Sequence, residues 1–263
     1  MELDRTYWEE RYRSDETGWD LGAPSTPLRT YLEQLANKKL RILVPGGGRA
    51  YEAEFAHRAG FENVHVIDLT DAPLKDLLER CPSFPADHFL VGDFFEHRGR
   101  YDLVLEQTFF CALAPSLRER YVAHMHSLLR PGGKLVGLLF DDALNTDRPP
   151  FGGNRDAYLQ LFLPFFPNVR MDPCYNSIPP RAGRELWLVA ERANPVSCAL
   201  YDRLEEAATR RWKMHFLLNG DEEREGIIVD LFHRNGLELA RLTNGEELEL
   251  ARIAEMKRLD GEA

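Results

Sequence analysis

Short apolar runs alternate with amphipathic stretches through the first two thirds of the chain. Ile42–Val44, Val64–Leu69, Phe89–Phe95 with its exit loop, Tyr101–Thr108 and Lys134–Phe140 read as buried strands. Between them, helical spacing of apolar residues predicts helices over Leu28–Leu35, Ala50–Gly60, Asp71–Cys81 and Ser116–Leu129. Strand and helix in strict alternation predict a parallel, doubly wound α/β sheet with ligands at the carboxyl ends of its strands. Pro167–Cys174 and Glu185–Arg192 then read as an antiparallel pair that completes seven strands.

The pattern changes after Ala193-Asn194-Pro195. An amphipathic helix over Leu200–Arg211 precedes four alternating segments, Met214–Leu218, Ile227–Leu231, Leu237–Leu239 and Leu248–Leu250. Three Asn-Gly pairs punctuate them, at Asn219-Gly220, Asn235-Gly236 and Asn244-Gly245, the strongest short hairpin signal. A helix followed by a meander of short strands predicts a small β-barrel with Phe216, Leu218, Val229, Leu231 and Leu239 as its core. The expected domains are therefore 1–193 and 194–263.

Charge and composition narrow the function. The 263 residues carry a net charge of −10, which argues against binding nucleic acid or an anionic membrane through bulk charge. No apolar run approaches the roughly 18 residues of a membrane span, and Met1–Arg5 is too charged for a signal peptide. Cys81, Cys111, Cys174 and Cys198 form no CxxC pair, as expected of reduced thiols in a cytoplasm. The eight histidines lack metal-site spacing, so no metal is expected.

The candidate chemistry sits on the first strand. Val44-Pro45-Gly46-Gly47-Gly48 runs from a strand into a glycine turn and then a helix, whose backbone N–H groups face whatever lies over the turn. Asp68, at the tip of the second strand and 20 residues past Gly48, suits the two hydroxyls of a ribose. NAD, FAD and S-adenosylmethionine (SAM) all carry that ribose. Tyr51 stands where a dinucleotide loop needs its third glycine for pyrophosphate packing, a departure harmless to SAM and costly to NAD. The turn Leu128-Leu129-Arg130-Pro131-Gly132-Gly133 recurs in class I SAM-dependent methyltransferases. Asp93 and Phe94, at the exit of the third strand, suit an adenine amine and ring. Tyr7, Trp8, Tyr12 and Trp19 offer flat rings for a lid over a sulfonium cation.

These residues also resemble a family. From about Tyr7 to Glu191 the chain is similar to the thiopurine S-methyltransferase-like group, in its halide/thiol methyltransferase branch. The likeness rests on Trp8, Tyr12 and Trp19, Val44-Pro45-Gly46, Gly92-Asp93-Phe94-Phe95, Thr108-Phe109-Phe110-Cys111-Ala112 and Arg148-Pro149-Pro150-Phe151. The branch usually has tryptophan where Tyr12 stands and often tyrosine where Gln107 stands. The resemblance implies a class I, Rossmann-like methyltransferase with Trp8, Trp19, Gly46, Asp68, Asp93, Phe94, Glu106 and Gln107 lining the SAM site. It implies a methyl acceptor that is a soft nucleophile: a thiol, sulfide, thiopurine or halide. Phe109, Phe110, Arg148, Asn176, Arg181 and Arg184 are candidates for the acceptor pocket. A buried cysteine such as Cys111 is more simply a small hydrophobe than a nucleophile.

The tail from Pro195-Val196-Ser197-Cys198-Ala199-Leu200-Tyr201-Asp202-Arg203-Leu204-Glu205 onward resembles the Rho-binding antiterminator family, which implies an Sm-like fold. Its net charge of −5, from 10 basic and 15 acidic side chains over residues 194–263, suits a basic protein partner such as Rho better than RNA. Other readings stay open: a SAM-binding regulator without turnover, an NAD-dependent oxidoreductase, and a tail that is an inert appendage or a dimerisation module.

Overall fold

A computed structural model describes residues 3–194, 196–219, 222–234 and 237–260. The chain divides into two compact units, Met1–Arg192 and Ala193–Ala263. In chain order the first holds α1 (Arg5–Arg13), α2 (Thr26–Gln34), β1 (Arg41–Pro45), α3 (Tyr51–Arg58), β2 (Asn63–Asp68), α4 (Ala72–Arg80), β3 (Phe89–Val91), β4 (Tyr101–Gln107), α5 (Arg118–Leu128), β5 (Leu129–Phe140), α6 (Arg155–Phe162), β6 (Arg170–Pro173) and β7 (Glu185–Glu191).

The strands form one sheet in the order β3-β2-β1-β4-β5-β7-β6. β1 through β5 pair in parallel, and β7 runs antiparallel to both β5 and β6. The sheet is therefore mixed, with its one antiparallel strand, β7, next to the β6 edge. Alternation along the central strands feeds two cores, because helices cover both faces. Ile42, Val44, Leu103 and Leu105 bury against α2, α3 and α4, whereas Leu43 and Val104 bury with Tyr121, Val122 and Met125 of α5.

One local outcome departs from the expected boundaries. The Arg130–Gly133 turn does not precede the fifth strand but lies inside it: pairing jumps from Tyr101↔Leu129 to Leu103↔Lys134. Gly132, at φ 74°, makes that protrusion possible, and its N–H donates to Arg192 O at 2.8 Å. At the N-terminus, α1 starts at an Asp4 cap whose side chain accepts the Tyr7 N–H.

The second unit is α7 (Cys198–Thr209) followed by β8 (Lys213–Leu218), β9 (Glu222–Arg234), β10 (Leu237–Leu242), β11 (Glu247–Glu249) and β12 (Ile253–Arg258). These strands make one antiparallel sheet in the order β11-β10-β9-β8-β12, with β11 and β12 at its ends, rather than a closed barrel. Leu204, Phe216, Leu218, Ile228, Ala240 and Leu242 lie in its core. Leu239 is buried and Leu231 packs partly against that core, but Val229 is 47 % exposed and Ile228 takes the inward place. The cause is a register shift opposite Arg241 and Leu242, which turns Ile228 inward while Leu231 pairs with Ala240. Asn244-Gly245 forms the β10–β11 turn with Gly245 at φ 85°. Gly220, Asn235 and Gly236 lie outside the described residues.

Candidate active site

The strand-to-helix turn after β1 makes the floor of a cleft. Gly46 and Gly48 have φ of 54° and 52°, a region that side-chain-bearing residues avoid. Space excludes a side chain at Gly46 as well: a Cβ there would come within 2.2 Å of the Phe109 ring. A Cβ at Gly48 would come within 3.5 Å of Trp19 Nε1 and 3.8 Å of the Tyr12 hydroxyl, so the aromatic lead-in folds over the turn. Trp19 meets Trp8 and Tyr12 edge to face, with ring centroids 5.5 and 5.8 Å apart.

Trp19, Leu21, Ala23 and Val44 give the cleft apolar walls, and Gly46–Gly48, Gln107 and Thr108 complete it. The acids among its described lining residues are Asp20 and Glu52. Asp20 pairs with Arg49 at 2.6 Å. Glu52 is buried and accepts the Ser25 N–H at 2.9 Å, and burial raises its pKa. A broader groove on α4, walled by Asp71, Leu74 and Leu78, is open to solvent and brings none of these residues together.

Asp68 ends β2 beside this turn. Its Oδ1 accepts the Thr70 N–H at 3.1 Å, yet burial outweighs that and the Gly48 N–H, pushing its pKa up to about 6. Tyr12 lies close enough that the Asp68 charge, added to burial, raises the phenol pKa. Gln107 faces the cleft with a buried Oε1 that no described group hydrogen-bonds. Thr108 follows at φ 59°, a strained turn that carries the chain into Phe109.

Glu106 is turned the other way. Its Oε1 accepts the N–H groups of Phe109 and Phe110, both at 2.8 Å, and its Oε2 accepts the Tyr121 hydroxyl. Burial pushes its pKa up to about 7. It therefore shapes the loop from within the core and does not line the cleft. Phe94 is likewise buried, packed against Phe109, Tyr121 and His124. Asp93 is exposed and caps the short helix after β3 through the Phe95 N–H at 2.8 Å.

The acceptor-pocket candidates divide. Phe109 packs beside Gly46, while Phe110 is buried between Tyr121 and Tyr158. Arg148 is exposed, with Asp147 beside it. Arg184 pairs with Asp142 at 2.5 Å. Asn176 is half-buried against Cys174. Arg181 is buried, and its Nη2 donates to Trp19 O at 3.2 Å. Cys111 donates to Thr108 O at 3.1 Å, and burial pushes its thiol up to about 12, so it is no thiolate at neutral pH. Glu52, Arg49 and Thr108 joined the cleft without having been named as site residues in the sequence. Glu52 is one acid in an amphipathic helix, and Thr108 adopts a positive φ that threonine does not advertise.

A nucleoside-bearing cation suits this arrangement: a carboxylate at the strand tip, N–H groups around a glycine turn, an unpaired amide oxygen and aromatic faces. The comparisons agree with that chemistry. The thiopurine S-methyltransferase (TPMT) family profile matches residues 3–173. "Probable thiol methyltransferase 2" of Arabidopsis thaliana is 29% identical over 184 residues, covering 68% of this chain and 81% of that protein. Thiocyanate methyltransferase 1 of the same plant is 29% identical over 185 residues, with the same coverage. Among solved structures, a 1,6-didemethyltoxoflavin-N1-methyltransferase of Burkholderia thailandensis, with bound S-adenosylhomocysteine (SAH), superposes with a TM-score of 0.57. It is 18% identical and covers 73% of this chain and 87% of its own, a likeness of fold. The chain is a SAM-dependent methyltransferase and belongs to the thiopurine S-methyltransferase family.

Proposed function

We propose that the enzyme transfers the methyl group of SAM to a small, soft nucleophile: a thiol, sulfide or thiopurine-like acceptor, with halide and thiocyanate as further candidates. The observation that carries this reading is the cleft itself, walled by Trp19, Leu21 and Val44 over the Gly46–Gly48 turn, with its two acids already engaged. With Asp68 given to the ribose, no free carboxylate is left among the described lining residues to deprotonate a hard nucleophile, so the cleft favours an acceptor that arrives as an anion.

Bound SAM would supply an electrophilic methyl on a sulfonium. The protein's part is then to place, desolvate and stabilise. Asp68 accepts the ribose hydroxyls as a carboxylate. Trp19, backed by Trp8 and Tyr12, turns aromatic faces to the positive charge and keeps water out. Gln107 offers its unpaired amide oxygen to the cofactor's polar end. Phe109, held beside Gly46 by the Glu106 carboxylate, limits how far the acceptor can lie from the turn. A thiol acceptor ionises near pH 8.5, so its turnover rises with pH toward that value. SAH release should be measured across small thiols, hydrosulfide, a thiopurine, thiocyanate and iodide. Sulfur acceptors are expected to lead in kcat/KM; preference for an oxygen or amine acceptor would refute this reading.

A second reading concerns Ala193–Ala263. We infer that it is an antiterminator-like module that contacts a basic, nucleic-acid-binding protein such as Rho. Its support is a helix ahead of a five-stranded antiparallel sheet in which β12 returns beside β8, together with the net charge of −5. Purified Rho should bind the full chain and dissociate as salt is added; absence of binding at low salt removes this role.

A further inference from the structure

The dipeptide Trp19-Asp20, which forms one wall of the cleft, is gripped from two sides. Arg181, in the turn before β7, sends Nη2 to the carbonyl of Trp19 at 3.2 Å, a contact spanning 162 residues. Its Nη1 lies 3.5 Å from Glu185 Oε1, and its guanidinium sits 5.4 Å from the Phe140 ring centre. Arg181 and Glu185 are both buried, so neither charge is solvated by bulk water. On the next residue Arg49, in the glycine turn, places Nε 2.6 Å from Asp20 Oδ2 and pairs through Nη1 with Asp76 of α4.

A guanidinium with these partners is committed. Its Nη1 is drawn to a carboxylate and its Nη2 to a backbone carbonyl, and Arg181 does not line the cleft. The geometry points to Arg181 and Arg49 as positioning residues that hold Trp19 over the glycine turn, with Arg181 acting on cofactor retention through Trp19 and not on the acceptor by charge. Trp19 can present its ring to a cation only while residues 15–22, which lie outside any regular element, stay in place. Arg181 fixes the backbone of that stretch and Arg49 fixes its next side chain. One anchor comes from the far end of the domain in sequence and the other from the cofactor turn itself. This rests on the reading that the cleft holds SAM.

The test separates the clamp from that reading. Hydrogen–deuterium exchange of the ligand-free protein reports on residues 15–22 with no cofactor present. Because Arg181→Met alone strands the Glu185 carboxylate, the variant to use is Arg181→Met with Glu185→Gln; Arg49→Gln tests the outer anchor without touching the core. Both variants should exchange faster over residues 15–22, with β4 and α5 as protected as in wild type. Both should bind SAH about tenfold more weakly, as expected for losing a charge-assisted hydrogen bond. Arg181→Lys should recover part of the protection. Unchanged exchange over residues 15–22 in both variants overturns the proposal, as does unchanged SAH affinity. Wild-type protein that fails to bind SAH sinks the cofactor reading, while the exchange result still decides the clamp.

Discussion

The hydroxyl of Tyr121 donates to Glu106 Oε2 at 2.5 Å, tying α5 to the end of β4 inside the core. The other carboxylate oxygen takes two backbone N–H groups of the following loop. Three donors thus converge on one buried acid, and the loop that carries Phe109 is set by it.

Removing that acceptor strands the donors. Glu106→Ala should destabilise the protein by about 3 kcal/mol or more, at about 1–3 kcal/mol for each unsatisfied buried group, and should loosen the pocket. Glu106→Gln keeps an acceptor and should retain activity. The pH dependence separates them further. The folded carboxyl has its pKa raised from 4.5 to about 7, so the folded state binds the proton more tightly than the unfolded chain. Wild type should therefore lose stability relative to Glu106→Gln as pH rises from about 4.5 to about 7, and hold level above that. Urea midpoints of the two proteins between pH 4.5 and 8 check the sign.

Asp68 poses a trade between stability and binding. Burial raises its pKa to about 6, so its charge at pH 7.5 costs the ligand-free fold. Asp68→Asn should raise the ligand-free Tm by at least ~2 °C, the shift expected from about 1 kcal/mol. The same variant should weaken SAM binding by about 1–3 kcal/mol, the range for charge-assisted hydrogen bonds. Wild-type affinity should fall as pH drops through about 6, when the carboxylate takes up its proton. Thermal scans and calorimetry read both arms; a variant that is less stable and binds as well as wild type contradicts the placement.

Cys111 serves packing. With its thiol pushed up to about 12 and its S–H donating to Thr108 O, it is not a nucleophile. Cys111→Ala should keep kcat within about threefold and cost about 1 kcal/mol of stability, a typical buried hydrogen bond. Loss of turnover without loss of SAH binding would restore a chemical role.

The second unit carries its own apolar core, around Phe216, Leu242 and Leu250. A chain ending at Asn194 should therefore fold and bind SAH with unchanged affinity. Calorimetry on the shortened chain decides this, and lost binding would contradict it.

The middle of the sheet was legible because β1, β4 and β5 are buried on both faces and carry continuous apolar runs. The glycine turn and Asp68 were legible because backbone shape and spacing dictate them. The Glu106 orientation was written in β4 as well: period two puts Glu106 on the face of Val104, inside the α5 core, and Gln107 on the other. The likeness to a family directed attention to the pair together, and strand alternation separates them. Val229 was misplaced because alternation assumes an unbroken register, whereas Val229 is the extra residue of a bulge in β9, skipped between the Arg241↔Asp230 and Leu242↔Ile228 pairs. The hold of Arg181 on Trp19 left no trace, since it crosses 162 residues and ends on a backbone oxygen, which no side-chain identity records.

Methyl transfer to sulfur is the central claim, and following the methyl group itself tests it most directly. The protein should be incubated with SAM carrying a carbon-13 methyl and, in parallel, with hydrosulfide, a small thiol and a thiopurine. NMR should then show the labelled methyl appearing on sulfur at the rate that SAH is formed, with Asp68→Asn slower at subsaturating SAM. SAH bound with normal affinity, yet no labelled methyl on any sulfur acceptor, would contradict the account.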